Sequence, residues 1–361
     1  MPDHGEWCHH DVIKGIPVRA AAEWRLRADR TAGGFGQLHS GTMKFVPTRI
    51  LLAWPRGYCA GVERAVDTVE RALRIYGPPV YVRKQIVHNI HVVRDLEAKG
   101  AVFVEEETEV PEGAVIILSA HGVAPGVYAN SMARGLSVID ATCPLVTKVH
   151  LEARRFARDD YTILLIGHEG HEEVVGTSGE APDDVILVGS PEEARTVQVA
   201  DPDRVAYLSQ TTLSVDETNE VIEVLRERFP NIGGPPRDDI CYATQNRQEA
   251  IKDLAKESDV ILVIGSDNSS NSKRLVEVSA AVGTPAYLID DESEIDPAWL
   301  EERETVGVTS GASAPEWLVE RVVEWIKAMG ATTVEQLHTI DEQMRFSLPV
   351  GVREPAGQPV P

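Results

Sequence analysis

Cysteine is scarce in this chain of 361 residues: four occur, far below the density of a disulfide-stapled scaffold. That scarcity points to a reducing compartment, where a cysteine is buried, catalytic or metal-bound. No Cys-x-x-Cys pair is present, and structural zinc sites usually draw on such close pairs. No run approaches the ~18 uninterrupted apolar residues of a membrane span. The longest runs, such as Val260 to Gly265 and Val115 to Leu118, read as buried strands. Positive charge is also short: Lys+Arg 35 against Asp+Glu 57 leaves a net charge of -22, which disfavours nucleic acid and anionic membrane as partners. The opening MPDHGEWCHHDVIKG lacks the apolar stretch of a secretory signal, and the Arg/Ala segment after it carries acids that a transit peptide avoids, so the expected location is cytoplasmic.

What is present is alternation. From Ile50 onward apolar runs (ILLAW, VYVR, AVFV, AVIILSA, SVID, TILLIG, VILVG, VAYLS, VILVIG, AYLID, VGVTSGA) are interleaved with amphipathic stretches such as AGVERAVDTVERALRIYG and PLVTKVHLEARRFA. Continuous apolar strands followed by helices are the pattern of parallel sheets covered on both faces, so the class is α/β. Ser214 ahead of Val215-Asp216-Glu217 and Pro315 ahead of Glu316 mark helix starts. Residues 1–48 differ, with a loop-like Gly33-Gly34-Phe35-Gly36 run and no periodicity, and read as an extension. Met43, just before the first strand pattern, is a candidate translation start. The Pro/Gly-rich tail after Pro349 is expected to be disordered.

Three of the cysteines stand at one structural station. Cys59 in PRGYCAGVERAV, Cys143 in DATCPLVTKVH and Cys241 in DDICYATQNRQEA each follow a strand-like segment or turn and precede a helix, at separations of 84 and 98 residues. This spacing divides the chain into three similar α/β units, 49–143, 144–237 and 238–330, with 331–361 as a tail. A helix N-terminus stabilises a thiolate, and ligands of parallel sheets gather at the carboxyl ends of strands. A single such cysteine is more often packing than ligand, but the shared context reverses those odds. Widely separated cysteines suit a cubane cluster bound at three irons with the fourth open. Cys8 falls outside the pattern and reads as an incidental thiol.

Polar clusters end several other apolar runs: Val87-His88-Asn89, Ser119-Ala120-His121-Gly122, His168 to Glu173, Ser209-Gln210-Thr211-Thr212, Asn268-Ser269-Ser270-Asn271 and Ser310-Gly311-Ala312-Ser313. Hydroxyls, amides and backbone N–H groups just ahead of helices form anion sites. Taken singly, Ser269 or Ser313 is equally well a helix cap, and Glu172 or Glu173 a solvated surface acid. Six such clusters beside three equivalent cysteines favour a binding site.

These segments together resemble the 4-hydroxy-3-methylbut-2-enyl diphosphate reductase family from about Arg49 to Pro349, through RGYCAGVERAV, SAHGV, DATCPLVTKVH, GTSGE, SQTTLSVDET, DDICYATQNRQEA, NSSNS and TSGASAPE. The resemblance implies three α/β domains about a pseudo-threefold axis. It implies one [4Fe–4S] cluster per chain on Cys59, Cys143 and Cys241, its open iron taking the substrate hydroxyl. It places His88, His121, Ser269, Ser270, Asn271 and Ser313 on the diphosphate, His171 beside the substrate, Glu173 as proton donor and Thr211 as its relay. The implied reaction is reductive dehydroxylation to isopentenyl or dimethylallyl diphosphate, the last step of the methylerythritol phosphate route, with a ferredoxin- or flavodoxin-type electron donor. Trp54, where the family usually has Asn, and Tyr58, where Phe is common, depart from the pattern. A cluster dehydratase needing no reductant and a non-enzymatic iron–sulfur sensor are the competing readings.

Overall fold

The computed structural model describes residues 47–353. Its first part runs β1 (Arg49–Trp54), α1 (Ala60–Tyr76), β2 (Val80–Arg83), α2 (Ile90–Ala98), β3 (Ala101–Val104), β4 (Val115–Leu118), α3 (Pro125–Ala133) and β5 (Ser137–Asp140). The middle comprises α4 (Pro144–Arg158), β6 (Thr162–Ile166), α5 (Glu172–Glu180), β7 (Val185–Val188), α6 (Pro191–Thr196), β8 (Val205–Ser209) and α7 (Val215–Arg228). The last part has α8 (Tyr242–Glu257), β9 (Val260–Ile264), α9 (Ser270–Ala281), β10 (Ala286–Ile289), β11 (Thr305–Ser310), α10 (Glu316–Met329) and β12 (Thr333–His338).

The strands form three sheets, in the orders β3-β2-β4-β5, β7-β6-β8 and β10-β9-β11-β1-β12. Every strand pairing within them is parallel. The α/β expectation holds, and the reason is visible along β9, where all five residues are buried. Val260, Leu262 and Ile264 face the core beneath α10, while Ile261 and Val263 face the core beneath α8 and α9. Helices therefore cover both faces, as continuous apolar strands require.

The division into units differs from the expected one in two places. β1, assigned by its position to the unit 49–143, pairs with β11 (Arg49 opposite Thr305) and β12 (Arg49 opposite Thr333) in the sheet of the third unit. Its two faces explain this: Ile50 packs into the α10 core while Leu51 and Ala53 pack against Ala250, Ile251 and Leu254 of α8. The segment 331–361, expected to be a tail, supplies the edge strand β12. Nor does order end at Pro349, because Val352 is 0% exposed and sits in the first unit's core with Val80, Val82 and Ile139. Cys8, the glycine run at 33–36 and Met43 lie outside the described residues. Among the described residues no helix is long and apolar enough to cross a membrane.

Candidate active site

Cys59, Cys143 and Cys241 are the N-cap residues of α1, α4 and α8. All three are half-buried free thiols. Each backbone N–H donates into a different polar strand-end loop: Cys59 to the Ala312 carbonyl at 3.2 Å, Cys143 to Ala120 at 2.9 Å and Cys241 to Thr211 at 3.0 Å. The first turn of α1 fits closely between the cysteines. A Cβ at Gly61 would stand 2.7 Å from the Cys143 Sγ and 3.7 Å from the Cys59 Sγ. Cys241 joins them through its neighbour, the Tyr242 hydroxyl accepting the Ala60 N–H at 3.2 Å. Burial, followed by the neighbouring Cys59, pushes the Cys143 thiol up to about 12 and the Cys241 thiol up to about 11. The Thr244 N–H donates to the Cys241 Sγ at 3.4 Å, in the cap arrangement.

Next to this centre lies a buried acid. Glu173, 5% exposed in the first turn of α5, accepts the Thr211 N–H at 2.9 Å on one oxygen and the Thr211 hydroxyl at 3.1 Å on the other. Neither a solvated surface position nor a lone acid describes it. His171 caps the same helix, its Nδ1 accepting the Glu173 N–H at 3.2 Å. Nδ1 is thereby fixed as the unprotonated nitrogen, and a neutral ring carries its proton on Nε2.

The remaining expected residues fall into one neighbourhood. The His88 and His121 rings stack with centroids 4.0 Å apart, and His171 stands edge-on to His88 at 5.6 Å. Burial, then His121 and His171, push the His88 imidazole down to about 2. Glu172, which sequence reasoning left as a surface acid, lies 3.0 Å from the His121 Nδ1. Burial opposes its ionisation, but the His121 hydrogen bond and charge hold its carboxyl below the usual range. Ser269 caps α9, accepting from the Ser272 N–H at 3.3 Å, and the Ser270 hydroxyl donates to the Thr212 carbonyl at 3.2 Å. Ser313 is not a cap: its hydroxyl donates to the His88 carbonyl at 2.9 Å, across 225 residues of sequence. Asn271 is 5% exposed, and neither its amide oxygen nor its nitrogen has a hydrogen-bond partner among the described residues. Buried amides are normally paired, and this one leaves both a donor and an acceptor open.

Two residues escaped the sequence reading. Gly61 signals itself only by lying two positions after a cysteine. Ser272, 0% exposed, donates its hydroxyl to Ser269 at 2.9 Å and fills the space that side chains at Gly265 and Gly311 would need. Beside Trp54, the Arg56 guanidinium lies 5.8 Å from the indole ring and donates to the Ala53 carbonyl at 2.9 Å.

Three parallel-sheet units that each offer a cysteine from a helix N-terminus, beside a buried acid–hydroxyl pair and a bank of neutral donors, define an α/β enzyme built around a cysteine centre. A family model described as LytB protein matches residues 50–327. The 4-hydroxy-3-methylbut-2-enyl diphosphate reductase of Acidothermus cellulolyticus is 65% identical over 306 residues, 84% of this chain and 90% of its own. The reductase of the same name from Mycolicibacterium gilvum is 60% identical over 343 residues, 95% of this chain and 98% of its own, a match that reaches into residues 1–48. The solved structure of the E-1-hydroxy-2-methyl-but-2-enyl-4-diphosphate reductase from Plasmodium falciparum superposes with a TM-score of 0.82 at 36% identity, covering 85% of this chain and 97% of that one. The chain belongs to the LytB family.

Proposed function

We propose that this protein converts 4-hydroxy-3-methylbut-2-enyl diphosphate, two electrons and two protons into isopentenyl or dimethylallyl diphosphate and water. One C–O bond breaks and one C–H bond forms. Cys59, Cys143 and Cys241 would hold one [4Fe–4S] cluster, which supplies single electrons and a Lewis-acidic iron when bound. The donor set fits such a group: three half-buried thiols stand at helix N-termini, and Gly61 puts no side chain against the Cys143 and Cys59 sulfurs. The electrons would come from a one-electron carrier of the ferredoxin or flavodoxin type.

The chain's own groups do the rest. The Glu173 carboxyl is the proton store. When it is ionised, Thr211 donates to it at 3.1 Å. When it is protonated, the same contact reverses and the Thr211 hydroxyl is free to donate onward, so the pair can pass a proton in either sense. His171, its Nδ1 occupied by the Glu173 N–H, would have Nε2 left for the substrate. His88, His121, Ser269, Ser270, Asn271 and Ser313 would hold the diphosphate with neutral donors and helix N-termini, which need few formal charges. The unpartnered amide of Asn271 supports that assignment.

The observation that carries this reading is the junction at Thr211, whose carbonyl holds the Cys241 N–H at 3.0 Å while its hydroxyl holds Glu173 at 3.1 Å. Anaerobic assay with a chemically reduced one-electron carrier is expected to yield both diphosphate products. Turnover without any reductant would overturn the proposal in favour of a dehydratase. Glu173→Gln keeps the hydrogen-bonding shape but removes the transferable proton, so turnover is expected to fall about 100-fold or more while pyrophosphate binding persists. Unchanged turnover would remove the proton-donor role.

A further inference from the structure

We infer that Arg64, Lys148 and Arg247 form a closed ring of three clamps that fixes the spacing of the three cysteines. This inference rests on the reading of those cysteines as a cluster site. Each cation sits on the helix that its own cysteine begins, five residues after Cys59, five after Cys143 and six after Cys241. Each reaches out to the loop just ahead of the next cysteine.

Arg64 on α1 donates from Nη1 to the carbonyls of Ala141 at 2.8 Å and Thr142 at 3.1 Å, the two residues before Cys143. Lys148 on α4 donates from Nζ to the carbonyls of Arg237 at 2.5 Å and Asp238 at 2.9 Å and to the Asp239 carboxylate at 3.1 Å, just ahead of Cys241. Arg247 on α8 donates from Nη2 to the Gly57 carbonyl at 2.7 Å, two residues before Cys59. The order returns to its start. The C-terminal segment braces two joints: the Ser347 carbonyl accepts from the Arg64 Nε at 2.8 Å, and Glu342 accepts from the Arg247 Nη1 at 2.9 Å.

Packing alone does not explain this arrangement. Arg247 is 0% exposed, and a buried guanidinium is costly where an apolar side chain of similar volume would stabilise equally well or better. What a cation offers that Met or Leu cannot is a set of directional, charge-assisted bonds to the carbonyls of a loop distant in sequence. Three such bonds in a cycle constrain all three loops at once. The same charges offset the negative charge that three thiolates bring to the centre. These are positioning residues, since none of them has to touch the substrate.

The test uses the full chain reconstituted anaerobically with iron and sulfide, comparing wild type with Arg64→Met, Lys148→Met, their double variant and Arg64→Lys. Lys148 keeps 27% of its side chain exposed but its partner Asp239 only 1%, so the iron loss of each variant is judged against its own iron-free Tm. The readouts are iron per chain, the rate of iron loss to a chelator, the EPR spectrum of the reduced centre and the Tm of the iron-free chain. Each Met variant is expected to lose iron about tenfold faster with an altered EPR spectrum, beyond what any fall in its iron-free Tm accounts for. The double variant is expected to exceed the product of the singles, because opening a second joint frees a loop that one opening leaves tied. Arg64→Lys is expected to recover part of the loss. Iron loss at the wild-type rate in all variants, or loss that merely tracks a fall in the iron-free Tm, would overturn the ring. A wild-type chain that takes up no iron would overturn the cluster reading and the ring with it.

Discussion

Gly61→Ala should separate the folding of this chain from the assembly of its centre. Gly61 is the second residue of α1 and its φ is not positive, so alanine can adopt the same backbone and should favour the helix by roughly 0.5–1 kcal/mol. The new methyl carbon, however, would stand 2.7 Å from the Cys143 Sγ and 3.4 Å from its Cβ. Comfortable contact begins near 3.5 Å, so the sulfur must retreat by roughly 1 Å. It sits at the end of a short side chain and can turn to another rotamer, a strain of order 0.5–1.5 kcal/mol if the new position is imperfect. Gain and strain nearly cancel, and the stability of the iron-free chain is expected to stay within about 1 kcal/mol of wild type. The retreat nonetheless displaces one of the three thiols from its place in the set. After anaerobic reconstitution the variant is expected to hold a small fraction of the wild-type iron and sulfide and to lose most of the visible absorbance, while its urea midpoint is nearly unchanged. A full complement of iron with a wild-type spectrum would refute the argument that Gly61 keeps the space between Cys59 and Cys143 clear for the cluster.

Asn271→Leu removes a buried amide that has no partner, whose desolvation costs about 1–3 kcal/mol, so the free chain is expected to gain stability while inorganic pyrophosphate binds at least tenfold more weakly. Calorimetry of binding and a melting curve on one sample check both, and unchanged affinity would take Asn271 out of the diphosphate site. Acid should destabilise the chain through its buried histidines. Burial, then the neighbouring rings, holds His88 down at about 2, whereas an unfolded histidine takes up its proton near pH 6.5, so below that pH the unfolded state binds more protons. The stabilisation is complete above about pH 6.5 and is lost as pH falls toward about 2, by up to about 1.4 kcal/mol per unit for this ring. Denaturant midpoints that do not fall between about pH 7 and pH 5 would contradict it. Saturating pyrophosphate, which favours charged rings, should flatten the slope.

The α/β class was legible because segments such as VILVIG are apolar without interruption, and β9 is indeed buried at all five positions. The neighbour of a strand is a different matter. Arg49–Trp54 has the pattern of a strand buried on both faces, which identifies no partner, and its pairing with residues more than 250 positions away could not be read from its own composition. β12 escaped notice for the opposite reason: TVEQLH is an edge strand exposed at five of six positions, so it carries no apolar period to detect. The cysteines were legible through a repeated context. Lys148 and Arg64 were present in the same motifs, but a helical cation is indistinguishable in sequence from a solvated one until the loop it grips has been brought to it.

The repetition also constrains how the site can work. Ala120, whose carbonyl holds the Cys143 N–H at 2.9 Å, is followed directly by His121, and Ala312, which holds the Cys59 N–H at 3.2 Å, is followed directly by Ser313. At the third junction Thr211 itself holds both Cys241 and Glu173. Each cysteine is thus one hydrogen bond and at most one peptide away from a group proposed to touch the substrate. A peptide unit is planar and stiff, so a displacement of His121 or Ser313 on binding diphosphate is passed to the carbonyl beside it and on to the cysteine N–H. The proposed diphosphate site and the proposed cluster site thus share the same three loops, so a change in one is expected to be felt in the other.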